Sequence, residues 1–296
     1  MDYDAVIIGG SYAGLSAGLQ LARARRSILV IDGGVRRNRF ASASHGFLTQ
    51  DGSTPADIAA KGKAQLLAYD TVAWMQGHAE RAEAIEGGFR IYTPDKPPVT
   101  ASRIVLAMGV IDDLPEIPGL SERWGKSVFH CPYCHGYELQ QGRIGVLASS
   151  PLSMHHAILL PDWGPTTLFL NGAFEPDDEQ LEKLKRRGVK IERELIERLA
   201  GDNLDVILKD GRAVPLDGMF TITNTRVSSP IAEQLGCAFD DGPLGAFIRT
   251  DGMKATTVPG VFACGDAARA TGSLPLAVGD GAMAGSATHQ SLIFAA

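Results

Sequence analysis

Asp4-Ala5-Val6-Ile7-Ile8-Gly9-Gly10-Ser11-Tyr12-Ala13-Gly14 stands at the start of the chain, and its reading decides the fold. Asp4 to Ile8 is a short apolar strand and Gly9 to Gly14 a glycine-rich turn. Leu15 to Arg25 repeats apolar residues at helical spacing, and Ser27 to Ile31 is a second apolar strand ending at Asp32. Strand, turn, helix and strand make a βαβ unit of the length expected at a dinucleotide-binding start. The turn is a modified G-x-G-x-x-G in which Ser11 replaces the middle glycine. Serine is small, Gly10 remains beside it, and a helix N-terminus there still offers amides to an anion. Asp32 falls where a carboxylate accepts hydrogen bonds from ribose hydroxyls. A glycine turn alone serves packing in many α/β proteins, but turn, helix and acid together point to a bound dinucleotide.

Working outward, the next informative stretch is His130-Cys131-Pro132-Tyr133-Cys134-His135-Gly136-Tyr137-Glu138. Two cysteines separated by two residues close a small disulfide ring, and local positive charge or a helix start lowers a thiol pKa. Thiol-disulfide chemistry is the leading reading. Half of a zinc site is the alternative, but zinc takes about four ligands, and Cys237 and Cys264 are isolated. His130 and His135 would have to complete such a site, so no metal is expected.

The chain has 296 residues, enough for two domains or one large one, and its 45% apolar content suits a globular protein. A net charge of −6 with no long Lys/Arg block argues against nucleic acid as partner. Neither a signal-peptide pattern at Met1-Asp2-Tyr3-Asp4 nor a membrane-length apolar run is visible. Four cysteines, only two of them close together, suggest a reducing compartment and a cytoplasmic protein whose one disulfide is catalytic.

Gly33 to Gly52 reads as a loop, Pro55 to Tyr69 as a helix, and Phe89–Tyr92 and Arg103–Met108 as strands. Pro115, Pro118 and Gly119 mark a first domain crossing. Beyond the cysteine pair, strands are expected at 143–148, 167–170, 189–191, 204–209 and 219–223, with helices near 154–160 and 177–187. Asp240 to Gly245 marks a second crossing, after which 258–266 and a helix over 277–294 return to complete the first domain. The expected fold is α/β with two Rossmann-like nucleotide-binding domains, one discontinuous (1–114 and 244–296) and one inserted (115–243) carrying the cysteine pair. The inserted domain's own phosphate turn reads Leu147-Ala148-Ser149-Ser150-Pro151-Leu152. It has no glycine, and Pro151 restricts the backbone. The next strand ends at Asn171-Gly172-Ala173, without the arginines that read a 2′-phosphate.

These residues resemble the low-molecular-weight thioredoxin reductase family over nearly the whole chain. The feature order is the family's: the N-terminal fingerprint, Ala107-Met108-Gly109, the C-x-x-C, and Gly260-Val261-Phe262-Ala263-Cys264-Gly265-Asp266. The resemblance implies an FAD domain made of both chain ends, an inserted NADPH-like domain carrying the redox disulfide, and a homodimer. It implies FAD contacts from Gly9, Ser11, Tyr12, Ala13, Gly14, Asp32, Gly33, Asn38, Arg39, His45, Ala82, Ala107, Gly109, Gly265, Asp266, Leu274, Ala277 and Val278. Asn38 is equally suited to capping a turn, and His45 to a loop hydrogen bond.

Two departures narrow the resemblance. His135 stands where the family has an aspartate used in proton transfer, and the second nucleotide fingerprint is degraded. Both are similar to an NADPH-independent subgroup that includes the dithiol oxidases acting in gliotoxin and holomycin formation. The resemblance then implies oxidation of a small-molecule dithiol through Cys131, the outer sulfur, and Cys134, the flavin-proximal one, to FAD and oxygen. His135 is the candidate base and His130 a second candidate, with Glu138 able to orient an imidazole. The alternative is reduction of thioredoxin or a similar protein, fed by ferredoxin, an unidentified donor or NAD(P)H.

Overall fold

In the computed structural model, residues 1–201 and 203–294 are described, and they divide into two compact units. Unit 1 comprises residues 1–39, 55–111 and 225–296, and unit 2 residues 40–54 and 112–224.

Unit 1 is built on a parallel sheet in the order Val72–Gln76, Ile28–Asp32, Tyr3–Ile8, Val99–Leu106. The central strand is buried without interruption from Ala5 to Ile8, as a strand covered on both faces must be. Val99–Leu106 has eight residues and serves two neighbours on one side. Its first half pairs antiparallel with Gly88–Tyr92, while Ile104 to Leu106 pair parallel with Val261–Ala263. Arg81–Ile85 closes the antiparallel edge. Helices Tyr12–Arg23 and Leu274–Phe294 come from opposite ends of the chain and pack together. Small residues set that approach: a Cβ on Gly281 or Gly285 would collide with the carbonyl oxygens of Ala13 and Ala17.

Unit 2 carries a five-stranded parallel sheet in the order Lys190–Glu192, Thr166–Phe169, Ile144–Leu147, Gly218–Thr221, Val128–Phe129. A three-stranded antiparallel sheet adds Ile196–Ala200, Leu204–Leu208 and Ala213–Leu216. The α/β class and the doubly wound plan of both units agree with the sequence reading.

The divisions of the chain differ from those read in the sequence. The second crossing falls at 224/225 rather than 243/244. Ile231, Ala232 and Cys237 are buried in the same core as Val6, Ile8, Leu106 and Val261, which assigns the preceding segment to unit 1. Asp240 to Gly245 is punctuated because it turns a hairpin between Phe239–Gly242 and Gly245–Ile248. The polar stretch 33–52 is also shared out, with 40–54 in unit 2. Phe40 there lies against Gly125, and His45 reaches Glu138.

Candidate active site

In unit 1 the turn after the first strand is shaped by what its glycines must avoid. Gly9 has φ +105°, and a Cβ on it would strike the Ala107 carbonyl oxygen, while one on Gly14 would strike the Gly9 carbonyl oxygen. Ser11 precedes the helix in extended conformation and makes no side-chain cap. Among the described residues the amides of Ser11, Tyr12, Ala13 and Gly14 make no hydrogen bond within the protein. An anion-binding helix N-terminus is therefore open. The Gly10 amide donates to Asp32 Oδ1 at 3.2 Å, fixing the carboxylate at the end of its strand.

The other expected cofactor residues of unit 1 lie on its strands and loops and at the start of the last helix. Tyr12 donates its hydroxyl to the Pro55 carbonyl at 3.1 Å and accepts from Asn38 Nδ2 at 3.2 Å, and burial pushes its phenol up. Arg39 bonds the Arg36 carbonyl, and Gly33 lies against the His78 ring. Ala107 is buried and its amide joins Ile8, while Gly109 holds φ +71°. The Ala82 amide is already engaged by Gln234 Oε1. Gly265 sits against Ala13, Leu274 opens the last helix, Ala277 is buried on it, and the Val278 carbonyl accepts from Ser16 Oγ at 2.7 Å.

Four residues of this neighbourhood, Arg37, Lys254, Arg269 and Asp280, were not found by sequence reasoning. Arg37 pairs with Asp266 at 2.9 Å, both partly buried. Two residues after Val278, buried Asp280 accepts from Lys254 at 3.0 Å and Arg269 at 2.9 Å, which anchors the start of the last helix. Arginines in a polar loop and an acid in an otherwise small-residue helix give no periodic signal.

In unit 2, Cys131 and Cys134 form a disulfide, with Cys131 at the N-cap of the short helix Pro132–His135. The other cysteines are unsuited to exchange. Burial pushes the Cys264 thiol up to about 12, with Asp280 adding to it, and burial also raises Cys237. Among the described residues no group of three or more His, Cys, Asp or Glu is arranged to hold a metal ion.

His135 stacks on Phe129, ring centroids 4.3 Å apart. Burial, then repulsion from His45 and His130, lowers its pKa to about 4. It is a neutral imidazole at pH 7, ready to accept a proton but with weak affinity for it. Glu138 does orient an imidazole, but that of His45, whose Nδ1 lies 3.4 Å from Glu138 Oε1 and 3.8 Å from Asp51 Oδ1. His45 is thus placed in unit 2 with the disulfide, whereas the remaining cofactor candidates belong to unit 1. Tyr133 and Tyr137 are 73% and 84% exposed beside the cysteines, which rules out core packing as their role. Tyr133 rests edge-on against Trp163.

The strand-to-helix turn of unit 2 contrasts with that of unit 1. The Ser149 amide donates to Ser153 Oγ at 3.0 Å and the Leu152 amide to Ser150 Oγ at 3.3 Å. The amides of Ser153, Met154 and His155 donate to the carbonyls of Ser150, Pro151 and Leu152. This turn engages the amides of Ser149, Leu152, Ser153 and Met154 internally.

An open dinucleotide cradle in one unit and an exchangeable cysteine pair in the other define a nucleotide-dependent disulfide oxidoreductase. The pyridine nucleotide-disulphide oxidoreductase family matches residues 3–281, and the chain belongs to it. It is an FAD-binding flavoprotein that acts on sulfur groups. A structure described as the oxidoreductase from Agrobacterium tumefaciens is 55% identical, with TM-score 0.96 over 99% of both chains. The structure of HlmI is 34% identical, with TM-score 0.91 over 98% of this chain and 92% of the other. A protein named thioredoxin reductase tcpT, from Claviceps purpurea, is 30% identical over 98% of this chain and 94% of its own.

Proposed function

We propose that this flavoprotein oxidises a dithiol to a disulfide through Cys131 and Cys134, with oxygen as final acceptor and without NADPH. The observation that carries the reading is the self-capped turn Ser149 to Met154, in which the amides of Ser149, Leu152, Ser153 and Met154 are already engaged. A pyrophosphate docking there would have to displace those hydrogen bonds, and Asn171, at the end of the next strand, is occupied in accepting from the Ile196 amide. Electrons then enter by the cysteine pair.

The residues of unit 1 suit FAD: Gly9 to Gly14 for the diphosphate, Asp32 for the ribose, Asp266 for the ribityl chain, and the start of the last helix for the flavin ring. Bound there, FAD supplies a two-electron acceptor that oxygen can regenerate. In unit 2 a substrate thiolate attacks Cys131, and a second substrate sulfur resolves the mixed disulfide. In this proposal His135 or His130 takes up the thiol protons, and the exposed Tyr133 and Tyr137 offer aromatic surface to the substrate. The working form in this proposal is a cytoplasmic homodimer.

A second reading, reduction of a thioredoxin-like protein with ferredoxin or another donor, is favoured by the name of the tcpT relative. Anaerobic titration of the flavoprotein with small dithiols, NADPH, NADH and reduced ferredoxin separates the two. Bleaching by dithiol, peroxide on admitting air, and loss of both in Cys131→Ser and Cys134→Ser are expected. Rapid bleaching by NADPH would sink the proposal, and bleaching by ferredoxin alone would favour the second reading.

A further inference from the structure

Within the redox motif, Gly136 has φ −67° and ψ −36°, a helical backbone open to any residue. What requires a glycine there is its neighbour. A Cβ on Gly136 would lie 2.8 Å from Cδ1 and Cγ of Trp163, so the indole rests on the chain two residues after Cys134. Trp163 also receives Tyr133, the residue between the two cysteines, with ring centroids 5.4 Å apart and planes at 88°. Because Tyr133 is 73% exposed, the two rings make a right-angled corner that opens to solvent on the tyrosine side.

The indole is held by its own segment. Trp163 follows the turn Leu160–Asp162, its amide donates to the Leu160 carbonyl at 2.9 Å, and Leu160 is fully buried. On the other side, a Cβ on Gly164 would strike the Gly142 carbonyl oxygen, which leaves that backbone no room to shift. Trp163 further borders a surface cleft of about 420 Å³ with Gln141, Pro161, Asp162, Pro165 and Arg187. The charged residues of the cleft are paired with each other: Arg187 Nη2 donates to Asp162 Oδ1 at 2.6 Å, and Arg187 Nε donates to the Ile158 carbonyl at 2.9 Å. An indole, two prolines and a neutralised ion pair suit a flat, uncharged group.

We propose that Trp163 is a specificity-determining residue: with Tyr133 it forms a subsite beside the disulfide that takes the flat apolar body of the dithiol substrate, an aromatic ring above all. The proposal rests on the dithiol-oxidising reading above and adds a substrate class to it. Tyr133 shares the one-turn helix Pro132–His135 with Cys134, so a ring lodged against it is carried on the same turn as the disulfide. An added aromatic contact favours a ring-bearing dithiol over an aliphatic one by about two- to tenfold.

The test compares benzene-1,2-dimethanethiol with dithiothreitol as reductants of the intact flavoprotein. Both close to six-membered cyclic disulfides, so the aromatic body is the main difference between them. The ratio of their kcat/KM values should fall by about two- to tenfold in Trp163→Ala, mainly through the KM of the aromatic dithiol. Trp163→Phe, which keeps a ring, should restore most of the ratio, and Tyr133→Ala should lower it. An unchanged ratio in folded Trp163→Ala, with both dithiols slowed alike, overturns the subsite and leaves the indole as packing for the redox helix. If neither dithiol bleaches the wild-type flavin, the functional reading falls, and binding decides the subsite by itself. The indole N–H signal of Trp163, one of three tryptophans, is assigned by its loss in Trp163→Phe. It should shift on adding benzene-1,2-dimethanol and stay in place with butane-1,4-diol, and a signal that neither diol moves overturns the proposal.

Discussion

The turns Gly9 to Gly14 and Ala148 to Ser153 occupy the same place in their units, between a buried parallel strand and the helix that follows it. One leaves its helix-start amides open and the other spends them on Ser150, Ser153 and neighbouring carbonyls. The difference shows that two Rossmann-like units can keep similar sheets while their strand-to-helix turns differ in which amides remain open. Sheet formation depends on Ile144 to Leu147 and their neighbours, all buried, whereas anion binding depends on where a few N–H groups point.

The strongest way to break this comparison is Gly14→Ala, because the added Cβ collides with a backbone carbonyl rather than a movable side chain. Overpacking of this kind costs about 1–3 kcal/mol, which lowers flavin affinity by roughly one to two orders of magnitude. The flavin-to-protein absorbance ratio after dialysis measures it. Ser149→Ala in the second turn should leave that ratio unchanged. A Gly14→Ala protein that retains flavin like the wild type would remove the contrast between the turns.

The second turn can be sharpened by freeing it. Ser150→Ala with Ser153→Ala releases the amides of Leu152 and Ser149, at a stability cost of about 1 kcal/mol per lost hydrogen bond. If self-capping is what excludes a nucleotide, NADPH affinity measured by calorimetry should rise about tenfold, as expected for an added hydrogen bond to a charged phosphate. Unchanged affinity would point to Pro151 and the missing glycines instead.

A third difference is electrostatic, since the imidazoles shifted to about 4, His135 and His156, both belong to unit 2. Each has its ordinary value of 6.5 lowered in the folded protein, so the unfolded chain binds more protons between those values. Stability from keeping them neutral is complete above pH 6.5 and is lost as pH falls toward 4. The melting temperature should therefore drop between pH 7 and pH 5, and the drop should be smaller in His156→Leu. An identical drop in the two proteins would mean that His156 is not held neutral.

The sequence made the two turns legible because glycine, proline and serine act locally, and the cysteine pair legible because its spacing dictates its ring. It also announced the strands Asp4–Ile8 and Ser27–Ile31, whose apolar runs need no tertiary context. Val72–Gln76 and Arg81–Ile85 escaped because Val-Ala-Trp-Met-Gln and Arg-Ala-Glu-Ala-Ile alternate weakly and gain strand character from pairing. The division of the polar loop at Arg39/Phe40 escaped too, since it is set by contacts of Phe40 and His45 with distant residues. His156 looked like one position of a short apolar helix. Only burial and its unpartnered Nδ1 distinguish it.

The smallest effect expected concerns Arg37, which belongs to the open-cradle side of the comparison. Its guanidinium lies 2.9 Å from Asp266 Oδ2, with both side chains less than a quarter exposed. The pair joins the loop after the second strand to the Gly265-Asp266 turn, two segments 229 residues apart in sequence. Arg37→Gln retains a donor but removes the charge, and a partly exposed pair is worth about 1 kcal/mol or less. Flavin should dissociate up to roughly fivefold faster, followed by recovery of free flavin fluorescence after dilution. The second turn contributes nothing to this rate in the comparison drawn above, so Arg193→Gln, which breaks the exposed Arg193–Glu175 pair of unit 2, serves as its control. Equal rates in both variants would mean that Arg37 orders only the loop, and that Asp266 is positioned by the turn Gly265–Ala268 itself.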